Sequence, residues 1–180
     1  FVASYLLSQA EHGPDSQVLL VSTSSIVVDQ INDALASQLA VLPRKNIAQQ
    51  ALENSTAIVV DSMEQAIFIV NSYAAEHLII ACKNDEVIGE QITNAGSVFL
   101  GNYSPESVGD YASGTNHTLP TSGYARAYSG VSVDSFVKKI TYQKLTPAGL
   151  QAIGAAVETM AAAEGLEAHK NAITIRLQSL

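Results

Sequence analysis

Short apolar runs alternate with longer amphipathic segments over residues 17–101 of the chain. The runs are apolar throughout and rich in β-branched residues, and the segments between them carry apolar residues at helical spacing. Apolar strands that alternate with helices are typical of a parallel sheet with helices on both faces. The pattern therefore predicts an α/β fold of the doubly wound kind.

Local signals place the individual elements. Ser62, followed three residues later by Gln65, predicts a capping box at the start of one helix, and Pro43 ends another. Gly96 is expected to close the last helix before the fourth strand. Strands are predicted at 17–22, 56–61, 77–82 and 97–101, and helices at 1–13, 24–42, 43–55, 62–74 and 84–96.

The composition of the sequence changes after residue 101. Residues 101–130 are rich in Gly, Ser, Thr, Pro and Tyr without periodicity. So long a loop in a compact domain is usually functional or disordered, and its low charge and four tyrosines favour an ordered, functional loop. Residues 131–145 have strand character. Residues 146–180 predict helices, with Thr146 as the N-cap and a break at Gly165. Two domains are expected, a main α/β domain over 1–131 and a small helical appendage over 132–180.

Composition and charge limit the classes of partner that the chain could bind. The 180 residues carry a net charge of −8 without a cluster of Lys or Arg, which argues against nucleic acid and anionic membranes. No apolar run approaches the ~20 residues of a membrane-spanning helix, and no signal peptide is visible. The single cysteine, Cys82, reads as a small buried hydrophobe, and a cytoplasmic setting is the natural inference.

The neighbouring residues Glu76 and His77 are the first candidates for chemistry. Adjacent side chains diverge within a helix or a strand, so they can share a site only at a junction such as the one predicted here. That junction lies at the rim opposite the strand ends where open α/β sheets usually bind ligands. A capping acid and a structural imidazole therefore remain an alternative.

Other imidazoles lie beside acids or amides along the chain. Gln9 and His12 are three residues apart on a predicted helix, so both can bind one ion. Asp110 and His117 share the long loop, and Glu164 and His169 flank the break at Gly165. Imidazole, carboxylate and amide oxygen suit Zn²⁺, but groups dispersed over the whole chain indicate a metal only weakly.

Together these segments resemble the histidinol dehydrogenases, most closely those of enterobacterial type. The resemblance extends over the whole chain, and the glycine- and tyrosine-rich loop is its most specific part. The segments that carry it are SQAEHGPDSQ (8–17), YAAEHL (73–78), GSVFLGNYSPESVGDYASGTNHTLPT (96–121) and AAAEGLEAHKNAI (161–173).

The resemblance implies an enzyme of histidine biosynthesis with a Rossmann-like fold. Such enzymes use zinc and NAD to oxidise L-histidinol through L-histidinaldehyde to L-histidine. By motif, Glu76 and His77 match the catalytic pair. One departure is Ala75, where the family commonly has Pro, which should loosen the turn without removing a functional group.

The remaining roles also follow from the resemblance. The implied zinc ligands are Gln9, His12, Asp110 and His169. The implied substrate contacts are these four residues together with His77 and Glu164, and His117 is expected to line the same pocket.

The family is homodimeric, so the appendage with Glu164 and His169 is expected to complete the site of the partner chain. This chain begins without Met and within a helix, and it is expected to be the C-terminal part of a longer polypeptide. The residues that bind NAD are expected in the preceding part, so these 180 residues alone should not oxidise histidinol. Two alternatives stay open, a metal- or imidazole-binding module without redox activity and a metal-dependent hydrolase with Glu76 as its base.

Overall fold

The computed structural model describes residues 1–180 and divides them into two compact units, Phe1–Phe136 and Val137–Leu180. The first unit alternates helices with short parallel strands, and the second contains two helices. The predicted α/β class is confirmed. The domain boundary expected at 131 lies close to this division and stays a prediction.

The first unit follows the predicted order of elements. Its strands are β1 (Leu19–Ser22), β2 (Thr56–Val59), β3 (His77–Ile80) and β4 (Ser97–Leu100). Its longer helices are α1 (Val2–Ala10), α2 (Ser25–Val41), α3 (Lys45–Glu53), α4 (Met63–Tyr73) and α5 (Asp85–Gly89). After β4, the helical turn α6 (Glu106–Val108) runs directly into a π-helix (Gly109–Ser113), and 3-10 turns follow at Tyr124–Arg126 and Val133–Phe136.

The strands form two separate parallel pairs rather than one sheet. β1 pairs with β2, with Leu19 opposite Thr56, and β3 pairs with β4, with His77 opposite Ser97. The burial expected from the apolar sequence of β2 is wrong, because three of its four residues are exposed and Val59 is 51% exposed. An apolar sequence makes a strand suited to burial. The strand is buried only where another element of the fold packs against it.

A cluster of small and branched apolar side chains joins the first three helices. Leu7 and Ala10 of α1 pack with Ala48 and Ala51 of α3, and leucines of α2 cover them. Alanines at these positions let the helix axes approach closely. The cluster fixes the end of α1, and therefore the position of the turn that carries Gln9 and His12.

The helix predicted over 84–96 is shorter than expected, because it ends at Gly89. The side-chain oxygen of Asn71 accepts hydrogen bonds from the backbone N–H groups of Thr93 (2.8 Å) and Asn94 (3.2 Å), and its amide donates to the carbonyl of Gln91 (3.0 Å). These side-chain hydrogen bonds compete with the helical ones and hold residues 91–94 outside the helix. Gly96 therefore does not close the helix.

The strand expected within 131–145 is absent. The segment contains only the 3-10 turn Val133–Phe136, and its residues are exposed. β-Branched and aromatic residues favour a strand only where a neighbouring strand supplies hydrogen bonds and a packing surface, and no strand pairs with this segment.

The second unit is a helical hairpin of α7 (Pro147–Ala163) and α8 (Glu167–Leu177). The Thr146 hydroxyl accepts the N–H of Gly149 at 3.1 Å, as predicted for an N-cap. Gly165 adopts a φ of +70° and separates the helices where the sequence predicted a break. Leu177 of α8 packs on Gly154 of α7. No helix in the chain is both long and apolar enough to cross a bilayer.

Candidate functional site

A left-handed residue makes the junction that carries Glu76 and His77. Ala74 ends α4 with a φ of +55°, and its N–H donates to the carbonyl of Val70 at 2.9 Å. This conformation turns the chain sharply, so β3 begins at His77 only a few residues after the helix ends. The predicted change from helix to strand beside the two candidate residues is confirmed.

The chain entering β4 lies directly against this junction. Gly96 donates its N–H to the carbonyl of Ala75, and Ser97 donates to that of Glu76, both at 2.9 Å. A Cβ at position 96 would stand 2.5 Å from the Glu76 carbonyl oxygen. Gly96 is thus required for close approach of two backbones, and the hydrogen bonds fix the backbone of Ala75 and Glu76 against β4.

Glu106 comes from the loop after β4 and lies beside His77. Its Oε1 is 3.5 Å from Nδ1 of His77, and their side chains are only 5% and 13% exposed. Gly109 permits this approach, because a Cβ there would stand 2.8 Å from the ring of Phe99 on β4. The long loop is therefore packed onto the β3–β4 pair by α6 and the π-helix, and π-helical turns are frequent at functional sites.

The His77 imidazole is buried without hydrogen bonds. Neither Nδ1 nor Nε2 has a hydrogen-bond partner, and the ring lies 6.0 Å from that of Phe99 between centroids. A buried polar group without a partner costs about 1–3 kcal/mol. Such a cost is common where a side chain is held ready for a ligand or a reaction.

Opposing charges act on the Glu106 carboxyl. Burial raises its pKa most, and the imidazole of His77 lowers it in turn. The charge of Asp110 raises this pKa further, that of His12 lowers it and that of Glu76 raises it. Four residues predicted from sequence thus act on one buried carboxyl. They lie just after α1 (His12), before β3 (Glu76), at the start of β3 (His77) and in the long loop (Asp110). Perturbed acids in such surroundings favour a functional site.

His77, Glu106 and Asp110 form a group with metal-binding donors. One donor atom from each side chain lies within 4.8 Å of the other two. An imidazole and two carboxylates are ligands that Zn²⁺ accepts. Only Asp110 belongs both to this group and to the ligand set implied by the resemblance.

The other predicted residues occupy more exposed positions. His12 follows the C-cap of α1, and its N–H still donates to the carbonyl of Gln9 at 3.3 Å, so both residues share the last turn. His117 is exposed in the long loop. Glu164 is the C-cap of α7 and His169 lies in α8, both exposed in the second unit. The roles of these residues stay predictions.

Glu106 is the residue that the sequence reasoning missed. Residues 101–130 contain only two acids, Glu106 and Asp110, and they are four residues apart. Such spacing places two side chains on one face if the segment is helical. The absence of apolar periodicity hid that helical turn, although the isolated acids in a loop of low charge were a usable signal.

Comparison with known proteins gives one consistent match. The family model described as histidinol dehydrogenase matches residues 1–177. Curated histidinol dehydrogenases from Bacteroides thetaiotaomicron and Vibrio cholerae are 57% and 54% identical over the whole chain. The crystal structure of histidinol dehydrogenase from Elizabethkingia anophelis has a TM-score of 0.91 and 60% identity over 99% of this chain. The chain spans 42% of the length of these two curated relatives and 41% of the crystallised chain.

Proposed function

The chain belongs to the histidinol dehydrogenase family, and we propose that it supplies the metal- and substrate-binding part of an enzyme that oxidises L-histidinol to L-histidine. The observation that carries the proposal is the convergence of His12, Glu76, His77 and Asp110 around the buried Glu106. The reaction would pass through L-histidinaldehyde, with Zn²⁺ and NAD as cofactors. A cytoplasmic location is part of the same proposal.

His77 would act as the base of the first oxidation. Its buried imidazole has a ring nitrogen, Nε2, without a hydrogen-bond partner, and imidazole is suited to accept a proton near neutral pH. The hydroxyl proton of histidinol would pass to this nitrogen as the C–O bond gains double-bond character and the hydride leaves the same carbon.

Glu76 would serve the second oxidation. The aldehyde needs one water added at its carbonyl carbon before a second hydride can leave, and a carboxylate is suited to take a proton from that water. Two proton transfers at one carbon give a reason for two adjacent bases of different kinds. The junction after α4 allows the neighbouring side chains of Glu76 and His77 to act in these two proton transfers.

Gln9, His12, Asp110 and His169 would hold the zinc. When bound, the metal would orient the imidazole and amino nitrogens of the substrate, and NAD would accept the hydrides. The proposal includes a homodimer in which Glu164 and His169 of the partner subunit complete each site. The exposure of both residues in the second unit supports that arrangement.

A chimeric enzyme tests the reaction. Residues 1–180 would replace the matched segment of the Elizabethkingia anophelis protein, and NADH formation would be followed with L-histidinol, NAD and zinc. We expect the chimera to form NADH and the isolated chain to form none, because the residues that bind NAD are expected outside these 180. An inactive, correctly folded chimera would contradict the proposed reaction, and an active isolated chain would contradict the assignment of the NAD site.

A metal- or imidazole-binding module without redox activity is the second candidate for the chain by itself. It is favoured by the donor group of His77, Glu106 and Asp110. Calorimetric titration of the isolated chain with Zn²⁺ and then with histidinol tests it. Binding of both without NADH formation is expected, and failure to bind either would exclude this function.

A further inference from the structure

We propose that Glu106 is a positioning residue for His77, holding the imidazole in the tautomer that carries its proton on Nδ1. The inference rests on the proposed function, in which His77 accepts a proton from the substrate. Its basis is the pairing of the Glu106 carboxylate with Nδ1 at 3.5 Å, with Nε2 free of hydrogen bonds.

The chemistry of the two groups sets the tautomer. An ionised carboxylate only accepts hydrogen bonds, and a neutral imidazole donates from one nitrogen and accepts at the other. A proton on Nδ1 is therefore favoured beside Glu106, which leaves Nε2 with its lone pair. Nε2, rather than the nitrogen that faces Glu106, is then the basic atom of the ring.

The distance between Glu106 Oε1 and His77 Nδ1 is 3.5 Å. It lies within the range of an ion pair and beyond a well-formed hydrogen bond. Catalytic hydrogen bonds are often long in free enzymes and shorten when the substrate binds. Glu106 is in a rigid setting for such a role, since the residue is 4% exposed and begins a helical turn.

Burial of Glu106 argues for a specific role. Removing a carboxylate from water is costly, and its only ion pair is with His77. A residue that served solubility or loop packing alone would not need a buried charge. The competing role is that of a metal ligand, because Glu106 also lies near Asp110 in the donor group.

Nitrogen-15 NMR of the 180-residue chain tests the tautomer directly. The chain has only four histidines, and a His77→Asn variant identifies the signal of His77. Long-range proton–nitrogen correlations, recorded at about pH 8 where an ordinary imidazole is neutral, distinguish the two tautomers.

We expect His77 to be protonated on Nδ1 in the unaltered chain. Glu106→Gln should abolish this preference, because an amide is able to donate as well as accept, and Glu106→Asp should retain part of it. Glu90→Gln, at an exposed position, is the matched control and should leave the spectrum unchanged. The same His77 tautomer in Glu106→Gln as in the unaltered chain would overturn the proposal.

Kinetics of the chimera separate positioning from metal binding. Glu106→Gln should lower kcat by about 10²-fold or more, within the ~10²–10⁴-fold contribution of general bases, while KM and bound zinc stay nearly constant. Loss of zinc from the variant would overturn the positioning role in favour of a ligand. An inactive unaltered chimera would contradict the proposed reaction alone, since the NMR experiment does not depend on turnover.

Discussion

Gly96 and Glu76 approach so closely that any side chain at position 96 would strike the Glu76 carbonyl. The ideal Cβ would lie 2.5 Å from that oxygen and 3.3 Å from the carbonyl carbon. Both atoms belong to the backbone, which cannot rotate away as the end of a side chain can. The absence of one methyl group is therefore a condition for the geometry of the candidate catalytic pair.

Gly96→Ala should destabilise the fold by about 1–3 kcal/mol, the usual cost of overpacking. It should also shift the NMR signals of His77, because the displaced backbone belongs to the adjacent residue. Urea unfolding measures the first effect and histidine spectra the second.

Gly89→Ala is the matched control, since its new Cβ would meet only the end of the Leu100 side chain, at 3.0 Å. It should leave the His77 signals in place. Equal effects of both substitutions on His77 would contradict the steric argument.

Ser62→Ala should lower the free energy of unfolding by about 1 kcal/mol. The Ser62 hydroxyl accepts the N–H of Gln65 at 3.3 Å, and the Gln65 side chain accepts the N–H of Asp61 at 3.0 Å. Removing the hydroxyl leaves one N–H of the first turn of α4 without its partner. Ser37→Ala in α2 is the control, because that hydroxyl only donates to the helical carbonyl of Asp33. An equal loss of unfolding free energy in both variants would contradict a stabilising role of the Ser62 cap.

The loss of unfolding free energy caused by Ser62→Ala should depend in part on pH. The carboxyl of Glu64 accepts hydrogen bonds from the Glu64 backbone and from the Ser62 side chain, and these lower its pKa. A lowered pKa in the folded state adds stability above the unfolded pKa, and that contribution is lost as the pH falls through the lowered value. The difference between the unaltered chain and Ser62→Ala should therefore narrow below about pH 4. Unfolding curves at several pH values would reveal a constant difference if Glu64 were not involved.

Cys82 should react slowly with iodoacetamide. The residue is exposed, contrary to the burial expected from its apolar neighbours, yet partial burial of the thiol and the charge of Asp85 raise its pKa. A raised pKa leaves less thiolate at a given pH, and the thiolate is the reactive form. Asp85→Asn should lower the pKa and speed alkylation at pH 8, whereas Asp29→Asn in α2 should not. Identical rates in the three proteins would contradict the role of Asp85.

His12→Ala should weaken zinc binding by more than about 100-fold, because loss of a ligand exceeds the 10–100-fold effect of losing an outer partner. His117→Ala is the control, since both imidazoles are exposed and only His12 belongs to the predicted ligand set. Calorimetry with Zn²⁺ measures both affinities. Unaltered affinity in His12→Ala would remove that residue from the ligand set.

Short-range signals in the sequence were sufficient to predict much of the fold. The predicted N-cap at Ser62 and the break at Gly165 are both present, although the Gln65 side chain accepts the N–H of Asp61 rather than that of Ser62. Each depends on a few consecutive residues, whose backbone preferences and hydrogen bonds are short in range. For the same reason, the helix-to-strand junction at Glu76 and His77 was predictable from sequence.

Contacts between distant residues decided the rest. Asn71 ends α5 by binding residues more than 20 positions away, and residues 131–145 form no strand because none pairs with them. Glu106 reaches His77 across 29 positions through the packing of Gly109 on Phe99. By itself, the sequence determined the order and class of the elements up to β4 and the identity of most candidate residues. Only the tertiary structure decided that Glu106 is buried beside His77, because burial and charge pairing depend on neighbours that no local pattern specifies.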